Sequence, residues 1–318
     1  MDTGRNLTLD HINFPYRSSS HLLLHHVIAK SGSWEKHGLD VNYDFFISSA
    51  DAHADVPTGK VEFVSGNHVS TYGARARGDP WVYLGQATNV ANLSLVVRAD
   101  SEISEITDLR EKTIASGSIK DRHPNLNEWL YLKQRGLDVD KDEVAILAKQ
   151  EHQNKSTRDM ILDGDADAAL MTPPNTQLAA AAGLKVIEVE SLPMILNTSI
   201  SSCLTFVRDN PDLVQRFLKG TLEGIAFFMR NPKESQKIIQ ESYTRKGALS
   251  DDVVRQVYGN LTETLEPTLY PTLGAISNVY QLGLRQDPDA AKISPLALWD
   301  MHHLRVIDDS GFIEDLYK

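Results

Sequence analysis

Residues 33–41 read Ser33-Trp34-Glu35-Lys36-His37-Gly38-Leu39-Asp40-Val41, and this stretch decides the fold class. Gly38 closes a helical segment, and the run from Leu39 to Phe46, rich in β-branched and aromatic residues, predicts a strand. The same four residues, Gly-Leu-Asp-Val, recur at residues 136–139, again after a predicted helix. Helices and strands therefore alternate with short connections, which is typical of an α/β fold with a mainly parallel sheet.

The last third of the chain has a different pattern. From about residue 210 the sequence predicts helices, beginning at Pro211, a position where a helix tolerates the missing N–H group. Apolar residues then recur at helical spacing from Leu213 to Met229. The sequence therefore predicts a helical C-terminal part.

Composition excludes several classes of protein. The chain has 318 residues, 32 of them basic and 43 acidic, and its formal net charge is −11. A nucleic-acid-binding protein usually has a basic surplus, so no nucleic-acid partner is expected. The single cysteine, Cys203, excludes an intramolecular disulfide. The first residues show no signal peptide, and the longest nearby apolar run is too short to span a membrane. We therefore expect a cytoplasmic protein without membrane insertion.

Six stretches, in chain order, resemble the type II periplasmic-binding-protein superfamily. Within it, the chain is most similar to nitrate/sulfonate/taurine-type solute-binding proteins and to thiamine-pyrimidine-synthase-like proteins. The six stretches are SWEKHGLDV (33–41), GKVEF (59–63), ARARGDP (74–80), ITDLREK (106–112), GDADAA (164–169) and NPDLVQRFL (210–218).

This resemblance implies an α/β, two-lobed periplasmic-binding-protein type II fold with a ligand cleft between the lobes and a helical C-terminal part. Lobe I would comprise residues 1–98 and residues 205–318, the latter mostly helical. Lobe II would comprise residues 99–204.

In such a fold, ligand contacts come from the loops that directly follow strands. These loops supply the residues predicted to bind the ligand: Asn13, Arg17, Asn67, Ser116, Gly117, Ser118, Lys120 and Thr172. The turn at residues 116–120 leads toward a helix, whose N–H groups and dipole favour an anion. Arg17 and Lys120 would clamp that anion on an otherwise acidic protein.

His68 is the predicted catalytic residue. It lies in the turn Gly66-Asn67-His68, and histidine titrates near neutral pH, as a general acid should. Two alternatives stay open: a neutral imidazole that hydrogen-bonds the ligand, or one that caps the next helix.

The sequence predicts neither a metal site nor a cofactor. His21 and His25 have the spacing of metal ligands on a helix, but no third ligand is identifiable. The lysine that binds pyridoxal phosphate in the resembling fungal synthase falls on Gly66, and that enzyme's donor histidine falls on Ser70. Its chemistry therefore does not carry over.

The superfamily also includes a biphenyl-sulfinate desulfinase and a dihydroxyphthalate decarboxylase. The desulfinase uses a cysteine after the first strand, where residues 12–15 here contain none. We therefore expect a cofactor-free decarboxylase or related lyase acting on a small aromatic acid, with His68 as the acid and Arg17 and Lys120 as anchors. The alternative is the solute-binding component of a nitrate/sulfonate/taurine-type ABC importer, located in the periplasm with an ABC permease as its partner.

Overall fold

A computed structural model describes residues 9–18, 21–66, 68–117, 119–120, 123–148, 155–173, 175–243 and 250–318. The chain divides into two compact units. The first unit comprises residues 1–89 and 194–318, and the second unit comprises residues 90–193. No helix among the described residues is both long and apolar enough to span a membrane. The lobe boundaries predicted after residues 98 and 204 stay predictions.

The strands of the first unit form two small sheets. In one, β1 (Asp10–Asn13) pairs in parallel with β2 (Leu39–Asn42). In the other, the strand order is β3-β12-β4, with bounds Phe63–Ser65, Leu192–Cys203 and Trp81–Ala91. The two divisions between the units fall within β4 and β12, so both long strands contribute residues to each unit.

Isolated bridges extend the β1 alignment beyond Pro15. Tyr16 pairs in parallel with both Phe46 and Ser65. Tyr16 donates its backbone N–H to Phe45 and accepts one from Ile47, at 3.0 and 3.1 Å. These bridges place the segment that carries Arg17 between the chain after β2 and the end of β3.

Helices surround these sheets in the first unit. They are α1 (Leu22–Lys30), α2 (Ser33–Lys36), α3 (Ser49–Asp55), α4 (Ser70–Ala76), α8 (Leu204–Asp209), α9 (Pro211–Arg230), α10 (Pro232–Tyr243), α11 (Asp251–Thr264), α12 (Leu273–Gln286), α13 (His302–Asp309) and α14 (Phe312–Leu316), numbered with α5–α7 of the second unit, described below. The long helix α9 packs against α1 and α2, and glycine permits the close approach. A Cβ atom at Gly224 would lie 2.6 Å from Ile28, and one at Gly220 would lie 2.7 Å from Trp34.

The second unit has a sheet with strand order β11-β5-β10-β6-β9. Its strands are β5 (Ser94–Val97), β6 (Thr113–Ser116), β9 (Ala145–Ala148), β10 (Ala168–Met171) and β11 (Lys185–Glu188); a short pair, β7 (Ile119–Lys120) and β8 (His123–Pro124), lies apart from it. Its helices are α5 (Leu126–Gln134), α6 (Thr157–Leu162) and α7 (Asn175–Ala181). Because β9 and β10 run parallel to β6, the carboxyl ends of these three strands meet at one edge.

Candidate functional site

Arg17 has no carboxylate partner in the part of the chain that the structure describes. Its Nη1 donates a hydrogen bond of 2.6 Å to the carbonyl oxygen of Ile47. Its Nε is buried and makes no hydrogen bond with the described residues. Burial lowers the pKa of the guanidinium below its usual value, but arginine stays charged in proteins. Arg17 is therefore a half-buried cation whose charge is not neutralised by the described residues.

Gly66 brings Arg17 and His21 together. Its φ is +109°, and a Cβ atom there would lie 2.9 Å from both Cβ of Arg17 and Cε1 of His21. Only a glycine fits this position without strain or displacement. The Nδ1 atom of His21 lies 3.1 Å from the carbonyl oxygen of Ser65 and 2.9 Å from its Oγ. Burial lowers the pKa of His21 to about 4, so its imidazole is neutral at pH 7.

His68 lies beside His21, with the two ring centroids 6.3 Å apart. Its Nδ1 is 2.9 Å from Oγ of Ser199, and its carbonyl oxygen accepts a hydrogen bond of 2.9 Å from the hydroxyl of Tyr83. The imidazole keeps some accessible surface, yet desolvation lowers its pKa to about 3, and the nearby His21 and Arg17 lower it further. His68 is therefore neutral at pH 7 and does not carry the extra proton of a general acid.

These side chains form what we call the Arg17 cluster: Arg17, His21, Gly66, His68 and Ser199. A cation with free N–H donors stands there beside two neutral imidazoles. Such a set can hold an anion through charge-assisted hydrogen bonds.

An exposed aromatic ring flanks this cluster. Phe46 is 58 % exposed, and the guanidinium carbon of Arg17 lies 5.9 Å from its ring centroid. The ring of Tyr16 packs edge-on against Phe46 at 6.1 Å. A large apolar side chain left in solvent beside an unneutralised cation could pack against the organic part of a ligand.

The other predicted contacts of the first unit are placed differently. Asn13 lies at the end of β1, where its Oδ1 accepts a hydrogen bond of 3.1 Å from Nδ2 of Asn42. Its backbone N–H donates to a carboxylate oxygen of Glu62 at 2.9 Å. Asn67 lies outside the described residues. The structure thus brings Arg17 and His68 together but gives Asn13 partners elsewhere.

In the second unit, Ser116, Gly117 and Thr172 reach one edge of the sheet. Ser116 ends β6 and is buried, whereas Gly117 and Thr172, which follow β6 and β10, are exposed. Lys120 lies in β7 and pairs with His123. Ser118 lies outside the described residues. The roles of these residues in binding stay predictions.

A buried acid, Glu128, stands behind this edge. Oγ of Ser116 donates a hydrogen bond of 2.6 Å to a carboxylate oxygen of Glu128. Burial raises the pKa of Glu128 to about 7, against the lowering effect of this hydrogen bond. The side chain of Asn125 already accepts the first N–H groups of α5, from Asn127 and Glu128. The helix start expected to hold an anion is therefore capped and has an acid beside it.

No local sequence pattern indicates Phe46, Ser199 or Glu128. Phe46 belongs to the stretch predicted as one strand, whereas β2 ends at Asn42. Ser199 reaches the cluster because β12 pairs antiparallel with β3, with Ile200 opposite Ser65. A carboxylate two residues after a helix start is common, and only its burial distinguishes Glu128.

Comparisons with known proteins agree on the family and the fold. A family model described as NMT1/THI5 like matches residues 26–235. No curated protein sequence matches the chain. Among solved structures, the periplasmic sulfonate-binding protein SsuA of Methylobacillus flagellatus KT has a TM-score of 0.69 at 16 % identity, covering 96 % of each chain.

Two further structures extend this comparison. The periplasmic aliphatic sulphonate binding protein SsuA of Escherichia coli has a TM-score of 0.67 at 16 % identity, covering 91 % of this chain and 98 % of that one. A DSZB structure in complex with biphenyl-2-sulfinic acid has a TM-score of 0.64 at 17 % identity, covering 95 % of this chain and 99 % of that one. These likenesses confirm the predicted α/β, two-lobed periplasmic-binding-protein type II fold with a helical C-terminal part.

The prediction of a decarboxylase or related lyase is wrong. The family match and the two SsuA structures, which are named as sulfonate-binding proteins and not as enzymes, overturn it, and the DSZB structure is an exception among the three. The geometry adds a physical reason, because His68, the expected acid, has a pKa of about 3. The predicted cytoplasmic location also finds no support, since both SsuA proteins are named as periplasmic.

Proposed function

We propose that this chain, which belongs to the NMT1/THI5-like family, is the solute-binding component of an ABC importer and captures a small organic anion of the sulfonate class. The anion would bind Arg17 in the first unit. The protein would then act in the periplasm, and its macromolecular partner would be an ABC permease. The two SsuA proteins with the same fold support this assignment.

The single observation that carries the proposal is the unneutralised guanidinium of Arg17. Two exposed or half-buried arginines of this acidic chain have carboxylates close by: Nη2 of Arg216 lies 2.6 Å from Asp10, and Nη1 of Arg77 contacts Asp287. The exposed Arg230 donates to the carbonyl oxygen of Leu316, whereas Arg17 has a buried Nε without a described partner. Arg17 donates one hydrogen bond to a carbonyl oxygen. Burying a cation without an anion costs free energy unless a ligand supplies that anion.

The chemistry of a sulfonate suits this guanidinium. Its three oxygens accept hydrogen bonds over a spread of directions, and the planar fork of arginine can engage two of them at once. Phe46 would then contact the carbon atoms next to the sulfur. A carboxylate could use the same donors, so we place sulfonates and carboxylates in one screen.

A thermal-shift screen of the full chain tests this proposal. A bound ligand raises the midpoint of unfolding by mass action. We expect aliphatic and aromatic sulfonates to raise it more than amines and neutral alcohols of the same carbon skeleton. Each compound that binds is then recovered and analysed, and we expect it unchanged. Stabilisation by no sulfonate or carboxylate would contradict the proposal, as would conversion of the bound compound.

A further inference from the structure

The hydrogen bonds of Gln86 fix the orientation of its side-chain amide. One atom of that amide faces the carbonyl oxygens of both Thr88 and Leu196, the latter at 2.6 Å. Carbonyl oxygens only accept, so this atom is the NH₂ nitrogen. The other atom, Oε1, is therefore the acceptor that faces Oγ of Ser199.

This orientation decides where the single hydrogen of the Ser199 hydroxyl lies. Two oxygens in contact without a hydrogen between them would repel, and Oε1 of Gln86 has none to offer. The Ser199 hydroxyl therefore donates to Gln86. Oγ of Ser199 is then left as an acceptor toward Nδ1 of His68, 2.9 Å away.

The tautomer of His68 follows from this chain of bonds. Nδ1 must carry the hydrogen and donate it to Ser199. In a neutral imidazole, the other nitrogen, Nε2, then has a lone pair and no hydrogen. Nε2 makes no hydrogen bond with the described residues, and it is not among the enclosed polar atoms that lack a partner. His68 thus presents an open acceptor.

His21 has the same tautomer, and a single contact is enough to assign it. Its Nδ1 lies 3.1 Å from the carbonyl oxygen of Ser65, which can only accept, so Nδ1 carries the hydrogen. Its Nε2 is likewise an acceptor without a hydrogen bond from the described residues. Both imidazoles therefore present lone pairs within the Arg17 cluster.

We propose that the ligand held by Arg17 also carries a hydrogen-bond donor, a hydroxyl or an N–H group, which binds Nε2 of His68. This inference rests on the proposed function and narrows its ligand class to organic anions with such a donor. Anions that end in alkyl groups would leave the lone pair of Nε2 unpaired. An unpaired polar atom in a desolvated site costs free energy, and this cost would discriminate between the two kinds of anion.

Matched ligand pairs test this selectivity. Each pair has the same charge and nearly the same shape, and a methyl group replaces the hydroxyl: 2-hydroxyethanesulfonate with propane-1-sulfonate, 3-hydroxypropanesulfonate with butane-1-sulfonate, and 4-hydroxybenzenesulfonate with 4-methylbenzenesulfonate. In calorimetric titrations, we expect the hydroxyl member of at least one pair to bind about three- to tenfold more tightly, as one hydrogen bond allows.

Variants assign this preference to His68. His68→Phe keeps a flat ring without an acceptor, so the ratio of affinities within a pair should fall to about one. His68→Gln offers an oxygen acceptor and should retain part of the preference for the hydroxyl member. Equal affinities within every pair in the natural protein would overturn the inference while leaving the proposed function intact. Binding of no member of any pair would instead count against both.

A direct measurement on the natural protein does not depend on how the variants fold. Nitrogen-15 NMR of the histidine side chains distinguishes a ring nitrogen that carries hydrogen from one that does not. At pH 7, without ligand, we expect His68 to have hydrogen on Nδ1 and none on Nε2. A spectrum with hydrogen on Nε2 would overturn the inference.

Discussion

The two units place titratable groups of opposite character at their candidate sites. In the first unit, the Arg17 cluster combines a cation with imidazoles whose pKa values burial lowers to about 4 for His21 and about 3 for His68. In the second unit, Ser116 donates to Glu128, an acid whose pKa burial raises to about 7. The same cause, desolvation, keeps each group near its uncharged form.

This difference is the reason why our proposal places the anion at the first unit. The first unit has a guanidinium without a described carboxylate partner, whereas the second has a buried acid and a capped helix start at its corresponding turn. The sequence predicts Arg17 and Lys120 as anchors of that anion; our proposal rests on Arg17, and the role of Lys120 stays a prediction.

Acid should destabilise the protein through the first unit, and this is the largest effect we expect. His21, His25 and His68 have lowered pKa values when folded, so unfolding takes up protons below pH 6.5. Their stabilisation is complete above pH 6.5 and is lost as the pH falls, toward about 4 for His21 and about 3 for His68. Each adds a slope of up to about 1.4 kcal/mol per pH unit to the free energy of unfolding.

His25→Phe isolates one part of that slope. His25 is fully buried beside Phe14, and neither of its ring nitrogens has a hydrogen-bond partner among the described residues. Between pH 6.5 and 5, the variant should reduce the slope of the free energy of unfolding against pH by the contribution of one histidine, up to about 1.4 kcal/mol per pH unit. Urea unfolding at several pH values measures this slope. The exposed His11, replaced by Gln, is the control. An unchanged slope in His25→Phe would contradict the claim that burial lowers the pKa of His25 in the first unit.

Gly66→Ala should lower the free energy of unfolding by about 2–4 kcal/mol. The added Cβ atom combines strain at positive φ with close contacts to Arg17 and His21. Gly78→Ala is the matched control: its φ is +105°, but no atom lies within 4 Å of an added Cβ. Gly78→Ala should therefore cost only about 1–2 kcal/mol, the strain alone. Urea unfolding measures both, and equal losses would show that Gly66 does not position its neighbours.

Glu128→Gln tests whether the second unit contains a buried acid with a raised pKa. Because the folded pKa is raised, the neutral acid contributes stability below pH 4.5, and that contribution is lost as the pH rises toward about 7. The amide of Gln stays neutral, so the variant should gain about 1–3 kcal/mol relative to the natural protein between pH 5 and 8. Asp140→Asn, at an exposed position, is the control. A variant that loses stability across this range would contradict a buried neutral acid.

Phe46→Leu gives the smallest effect. The ring packs against Tyr16 and lies beside the guanidinium, so its removal should weaken the binding of an aromatic sulfonate about two- to fivefold. Methanesulfonate has only one carbon atom to contact the ring, so its affinity should change much less. Leu273→Ala, at another exposed apolar position, is the control. Equal weakening of both sulfonates would show that Phe46 acts on Arg17 and not on the ligand.

Local sequence patterns could predict the α/β class, and the resemblance of six stretches to a known superfamily supplied the two-lobed fold. The loops after strands, a local feature, identify Arg17 and His68. Ser199 joins them only through the register of β12 against β3, which no local pattern specifies. The pKa of Glu128 depends on burial by residues distant in sequence, and the exposure of Phe46 depends on where β2 ends. Tertiary packing therefore decides the electrostatics that distinguish capture from acid catalysis.

The most direct test of the central claim is a calorimetric titration of Arg17→Gln with the sulfonate that stabilises the natural protein most. Charge-assisted hydrogen bonds contribute about 1.5–3 kcal/mol, so we predict at least a tenfold loss of affinity. Arg255→Gln removes an exposed positive charge on α11 and should bind as the natural protein does. An Arg17→Gln variant that is folded and retains the natural affinity would contradict the account.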